Sequence, residues 1–249
     1  MKSLEDEPDH ARREVVIFIG SLAAGVITSC GADSTSAPTA SPTAPPTPAV
    51  SASPGAAGCV VRPQLTEGPY FVDERLDRSD IRTDPADGST RPGVPLRLTF
   101  RVTRSSGGTC AALAGAFVDV WHCDALGTYS DVQGASGRKF LRGYQATDAS
   151  GVAQFTTIFP GWYSGRAVHV HFKIRTSLTG GGYEFTSQLF FDPAVVSTVL
   201  AQAPYNAKGQ PDTSNARDGI YQGGGSQLLL NLAPEGSGYG ATFDIALQF

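Results

Sequence analysis

His169-Val170-His171 is the stretch with the most chemistry in this chain of 249 residues. In an extended segment alternate residues share a face. Val168, Val170, Phe172 and Ile174 then point into a core, while His169 and His171 point together to the other side. Two imidazoles about 7 Å apart along one strand can close on a single metal ion. They can equally be two polar residues on a solvated face. Two tyrosines add weight to the first reading. Tyr129 follows the run Val118-Asp119-Val120-Trp121 and sits in Gly127-Thr128-Tyr129-Ser130. Tyr163 sits in Pro160-Gly161-Trp162-Tyr163-Ser164-Gly165-Arg166. Each lies in a Gly-bearing loop after a strand-like run, where sites are commonly built on a rigid scaffold. Alone, either is an ordinary half-buried residue at a strand end. A phenolate is a hard oxygen donor whose conjugate acid ordinarily has a pKa near 10. Only a strongly Lewis-acidic ion holds it deprotonated at neutral pH. Two Tyr with two His therefore favour ferric iron over Zn²⁺ or Ca²⁺, and no CxxC or Cys/His spacing suggests zinc.

These residues need a scaffold, and its periodicity is that of strands. Leu96, Leu98, Phe100 and Val102 alternate with Arg97, Thr99 and Arg101. Ala241, Phe243, Ile245, Leu247 and Phe249 alternate with Thr242, Asp244, Ala246 and Gln248. Phe117–Trp121 and Gln154–Ile158 are further strand candidates. The glycine triplets 180–182 and 223–225 read as loop punctuation. Only Pro193–Ala203 reads as helical, with Asp192 as cap and Pro193 at the first helical position. With 29 Gly, 17 Pro and one Met, an all-helical bundle is excluded. The expected architecture is an all-β sandwich over residues 59–249, with long loops and one short helix. A net charge of −4 disfavours a nucleic-acid partner.

The segment before residue 59 has a different character. Val15–Ile27 is apolar but too short to span a bilayer, for which about 20 residues are needed. It follows Arg12-Arg13 and ends in Ile27-Thr28-Ser29-Cys30, so residues 1–30 read as an export segment. Ile-Thr-Ser-Cys also resembles a bacterial lipobox, in which Cys30 becomes the lipidated first residue of the mature protein. Cleavage without lipidation, or an ordinary cysteine, stays open, because Glu5, Asp6, Glu7 and Asp9 are atypical of such a segment. Both twin-arginine and general export remain compatible with it. Residues 31–58, rich in Ser, Thr, Ala and Pro, read as a disordered linker. The expected location is outside the cytoplasm, with membrane contact only through Cys30. In that compartment two of Cys59, Cys110 and Cys123 should pair. Cys59 and Cys110, at segment ends, are the expected staple, and Cys123 the buried free thiol.

In their order along the chain, Thr66-Glu67-Gly68-Pro69-Tyr70-Phe71, the Val118–Trp121 and Gly127–Ser130 segments, Pro160–Tyr163, Arg166 with His169–Phe172, and Ser187-Gln188-Leu189-Phe190-Phe191 closely resemble the intradiol ring-cleavage dioxygenases. That is the family of catechol and protocatechuate 3,4-dioxygenases. The resemblance implies non-haem Fe(III) held by Tyr129, Tyr163, His169 and His171. Tyr129 matches the tyrosine that stays on the metal, and Tyr163 the one that leaves when substrate binds. Arg166 matches an arginine that stabilises charge on the substrate, and Gln188 a nearby supporting glutamine. The implied reaction inserts O₂ between the two hydroxylated carbons of a catechol-type ring, giving a cis,cis-muconate-type diacid without an external reductant. The interval from Tyr163 to His169 is shorter than in catechol and protocatechuate enzymes, so substrate identity does not carry over. The chain also lacks room for the helical dimerisation segment of catechol dioxygenases and looks more like the secreted, stand-alone branch. Two rivals remain. A cupin also uses His-x-His, but Phe172–Thr179 contains no acidic ligand. A surface-tethered β-sandwich that binds aromatic material without turnover is the alternative outside the enzymes.

Overall fold

The computed structural model describes residues 59–132 and 134–249. The expected export segment, the Cys30 anchor and the linker lie outside them. Among the described residues nine strands form two sheets: β1 (Pro95–Ser106), β2 (Thr109–Ala112), β3 (Phe117–Trp121), β4 (Arg142–Ala146), β5 (Val152–Ile158), β6 (His169–Arg175), β7 (Glu184–Phe190), β8 (Ala233–Glu235) and β9 (Gly238–Gln248). The first sheet runs β2-β1-β9-β8, with β5 also paired to β1; the second runs β4-β3-β6-β7. β1 and β9 are parallel partners from Leu96↔Tyr239 to Ser105↔Gln248, and the other strand pairs are antiparallel.

The alternation read in the sequence becomes the core. Leu96, Leu98, Phe100 and Val102 face inward with Phe155, Phe243 and Ile245. They meet Val118, Val120, Val170, Phe172 and Ile174 of the second sheet. Phe100 and Phe172 touch across the interface with ring centroids 5.4 Å apart, and Phe172 meets Phe243 at 5.4 Å. Such tilted and edge-on aromatic packing gives the sandwich a specific internal geometry beyond its buried area.

The helix α1 (Pro193–Leu200) starts as expected. Asp192 accepts from the Ala194 N–H at 2.7 Å, Pro193 is at the first turn, and Val196, Val199 and Leu200 are buried. It stops three residues short of Ala203, because Pro204 has no N–H to continue it and restricts the residue before it. A second helix of one turn, α2 (Gly219–Gln222), has no expectation behind it. The Gly180–Gly182 triplet does lie in a loop, whereas Gly225 opens a 3₁₀ turn ending at Leu228. Cys59 and Cys110 are disulfide-bonded, with Cα atoms 5.5 Å apart. Cys123 is free and buried, and burial pushes its thiol up to about 12, far from reactive thiolate chemistry. Among the described residues no helix is long and apolar enough to cross a membrane.

Candidate metal centre

Four separate pieces of backbone converge beyond the outer face of the second sheet. β6 supplies His169 and His171. The long connection from β3 to β4 supplies Tyr129, and the crossover from β5 to β6 supplies Tyr163 and Arg166. β7 supplies Gln188. The register places Trp121, His171 and Gln188 side by side on adjacent strands. The solvated-face reading of His169 and His171 is therefore overturned. Every residue of β6 is buried, because the segment that carries Gly68, Tyr70 and Phe71 lies across this face. Gly68 has φ +72°, and a Cβ there would stand 3.2 Å from His171 Cε1. A residue with no side chain is needed for this close approach.

His169 Nε2 is the hub. It lies 3.0 Å from His171 Nε2, 3.3 Å from the Tyr163 hydroxyl and 3.5 Å from the Tyr129 hydroxyl. His169 Nδ1 lies 2.6 Å from the Ala167 carbonyl. That contact places the ring proton on Nδ1 and leaves a lone pair on Nε2. His171 stacks on Trp121 with centroids 5.0 Å apart and planes 10° from parallel, and its Nδ1 has no hydrogen-bond partner among the described residues. Burial pushes His169 down to about 3 and His171 well below its usual range, so both imidazoles are neutral. Burial likewise raises Tyr129 well above the ordinary phenol range. It pushes Tyr163 up to about 12 against the opposing pull of Arg166.

The lone pair on His169 Nε2 and the His171 Nε2 3.0 Å from it could both be satisfied by one electrophile set between the two rings. Metal–nitrogen bonds near 2 Å put neighbouring ligands about 3 Å apart, which is the spacing found around His169 Nε2. Among the described residues no three His, Cys, Asp or Glu side chains gather as around a metal. Only the phenols complete a donor set here. Two hard oxygens and two imidazoles fit iron better than a soft, thiolate-seeking ion.

Arg166 stands beside this cluster. Its Nη1 is 3.4 Å from the Tyr163 hydroxyl, its Nη2 donates to Gln188 Oε1 at 2.5 Å, and its Nε donates to Asp218 at 2.9 Å. Gln188 in turn donates to the Thr66 carbonyl at 2.8 Å. All six residues read from the sequence thus come together. Several others escaped that reading. Asp218, 1% exposed, caps α2 and also accepts from the Ala167 N–H at 2.8 Å. Its only local signal is an Asp ahead of a single turn. Tyr70 lies 4.4 Å, centroid to centroid, from Tyr129. Gly127, at φ +88°, brings the Tyr129 loop against the Trp162 carbonyl, where a Cβ would stand 2.1 Å away. Lys208 joins the same two loops by donating to the Leu126 and Trp162 carbonyls. His122, by contrast, is satisfied by the Cys123 carbonyl and Thr157 at 2.8 and 2.7 Å, and belongs to the scaffold.

Residues 66–248 match the Dioxygenase family model. The chain is 28% identical over 146 residues to a chlorocatechol 1,2-dioxygenase of Pseudomonas putida, covering 51% of this chain and 52% of that enzyme. It is 36% identical over 102 residues to a catechol 1,2-dioxygenase of Acinetobacter lwoffii, covering 41% of this chain and 35% of that enzyme. The chain thus spans about half or less of the curated relatives it matches. An intradiol ring-cleavage dioxygenase from Tetranychus urticae superposes with a TM-score of 0.67 at 29% identity, covering 76% of this chain and 95% of that one. With most of its length matched to the family and its fold shared, the chain belongs to the intradiol ring-cleavage dioxygenases.

Proposed function

We propose that this chain uses non-haem Fe(III), held by Tyr129, Tyr163, His169 and His171, to cleave a catechol-type ring with O₂ between its hydroxylated carbons. The product is a cis,cis-muconate-type dicarboxylic acid. The observation that carries the reading is the meeting of two phenols and two neutral imidazoles around His169 Nε2. The names of the relatives, catechol and chlorocatechol 1,2-dioxygenases, support the substrate class. Bound Fe(III) supplies the Lewis acidity that holds a catecholate and draws electron density from its ring.

The chain's own groups do the rest. Tyr129 is 1% exposed, whereas Tyr163 is only half-buried. Tyr163 is therefore the phenol with room to move, and as it leaves it accepts one of the two substrate protons as a built-in base. Arg166 is fixed on two sides by Asp218 and Gln188, with Nη1 toward the Tyr163 hydroxyl. It acts as a preorganised cation for charge that develops on the ring. Burial of the imidazoles and of Tyr129 keeps water from the donor atoms.

The test is O₂ uptake by iron-loaded protein with catechol, hydroxyquinol, protocatechuate and larger polyphenols, with products identified. Stoichiometric uptake with a muconate-type diacid is expected from at least one. Tight binding of all four without uptake would instead make it a non-catalytic binding module. The Cys59–Cys110 bond fits an oxidising compartment and so supports export, while the lipid anchor proposed on Cys30 rests on the sequence alone. Mass spectrometry of the native protein should find diacylglyceryl on Cys30, and a chain retaining Met1 contradicts it.

A further inference from the structure

Arg142, the first residue of β4, is 3% exposed. Among the described residues its guanidinium makes each of its hydrogen bonds to a neutral acceptor. Nε donates to Ser130 Oγ at 2.7 Å, and Nη2 donates to the Ser130 carbonyl. Nη1 and Nη2 reach the Tyr70 carbonyl at 3.4 and 3.5 Å. The acids whose charge it feels are engaged elsewhere: Glu74 with Lys139, and Asp131 with the Gly137 N–H. A buried cation is costly, and a permanently charged planar fork is an expensive way to hold two loops unless their positions matter.

What it holds is specific. Ser130 directly follows Tyr129, and Ser130 Oγ passes the link on by donating to the Phe140 carbonyl at 2.6 Å. Tyr70 carries the ring that covers Tyr129 at 4.4 Å. One guanidinium therefore ties the backbone beneath Tyr129 to the backbone of the residue above it. Tyr163 has a different environment. It stands half-buried, and its hydroxyl lies 3.3 Å from His169 Nε2 and 3.4 Å from Arg166 Nη1. We infer that Arg142 is a positioning residue that locks the Tyr129 phenol in place by holding the backbone of Ser130 and of Tyr70. This rests on the iron reading given above.

The experiment uses the full chain loaded with iron and compares the parent with Arg142→Met, Arg142→Lys and Ser130→Ala. The readouts are the tyrosinate-to-iron absorption band, the rate of iron loss to a chelator, and the melting temperature of the metal-free proteins. Arg142→Met should shift and broaden the band and speed iron loss by roughly 10-fold or more, the scale of lost supporting contacts at metal sites. Arg142→Lys should recover only part, because an ammonium cannot span both loops. Ser130→Ala, which removes the Nε acceptor together with the bond to the Phe140 carbonyl but keeps the guanidinium and its bonds to the Ser130 and Tyr70 carbonyls, should move the band in the same direction by less. If Arg142→Met does not fold, Ser130→Ala decides. A folded Arg142→Met, or in its absence Ser130→Ala, whose band and iron loss match the parent overturns the inference, even if its melting temperature falls. A parent with bound iron and no band defeats the iron reading instead, before any variant is compared.

Discussion

Strand β6 carries two pairs of polar residues on one buried face, and the fold treats them in opposite ways. At the far end Arg175 grips Asp119 through two bonds of 2.9 and 2.7 Å and reaches Asp73 at 3.1 Å. Beside it Lys173 pairs with Glu67 and sits 4.0 Å above the centre of the Phe71 ring. Charges there are matched from within the chain. At the near end His169 and His171 face each other across 3.0 Å, His171 Nδ1 lacks a partner among the described residues, and in the metal-free chain burial raises both adjacent phenols above their usual range. Equal burial with unequal satisfaction separates scaffold from site. A buried polar group is tolerated when it is bonded, and the end where two phenols and a second imidazole crowd one ring nitrogen is the end that could receive a further group.

The largest expected effect breaks the near end. His171→Ala removes one of the two imidazole donors and should weaken iron binding by on the order of 10²-fold or more, beyond the loss seen for supporting residues. Chelator competition measures it, and iron retention equal to the parent would remove His171 from the donor set. At the far end Arg175→Met strands two carboxylates, one deeply buried. Urea unfolding should show a loss of about 3–5 kcal/mol, with one iron per chain still bound. If Arg175→Met lost iron as His171→Ala does, the division of the face into two halves would fail. Arg166→Ala should keep the colour and cut kcat by roughly 10²-fold, the scale of a lost preorganised electrostatic group.

Acid supplies the smallest and most discriminating contrast. In the metal-free chain burial pushes His169 down to about 3 and His122 down to about 4. The unfolded chain then binds more protons below about 6.5, so stability present above that pH is lost as pH falls toward 4. Between pH 7 and 5.5 the loss is about 1 kcal/mol per buried imidazole. Asp119 has the opposite sign. Its burial, against the pull of Arg175, pushes it up to about 6, so its cost is relieved as pH falls from 6 toward 3.8. Urea titrations at both pH values should show a net loss that Asp119→Asn makes larger.

Much of this was legible in the sequence because it is local. β1, β3, β5, β6 and β9 show period-2 alternation or β-rich runs, and Asp192-Pro193 marks the start of α1. The proposed donors could be named because His-x-His and two tyrosines in Gly-bearing loops limit the chemistry, and the structure brings these four side chains together. What escaped is non-local. Asp218 meets Arg166 from 52 positions away, and no pattern within a single turn of helix announces that. The burial of both faces of β6 depends on a covering segment without periodicity. β2 and β8, at four and three residues, are too short for alternation to register.

The most direct test of the central claim is the visible spectrum of the protein with its iron content measured on the same sample. One iron per chain and an intense burgundy tyrosinate-to-iron band are predicted, with the band diminished and iron affinity lost in Tyr129→Phe. Stoichiometric iron in a colourless protein, or zinc in place of iron, would contradict the assignment of Tyr129, Tyr163, His169 and His171 as the ligands.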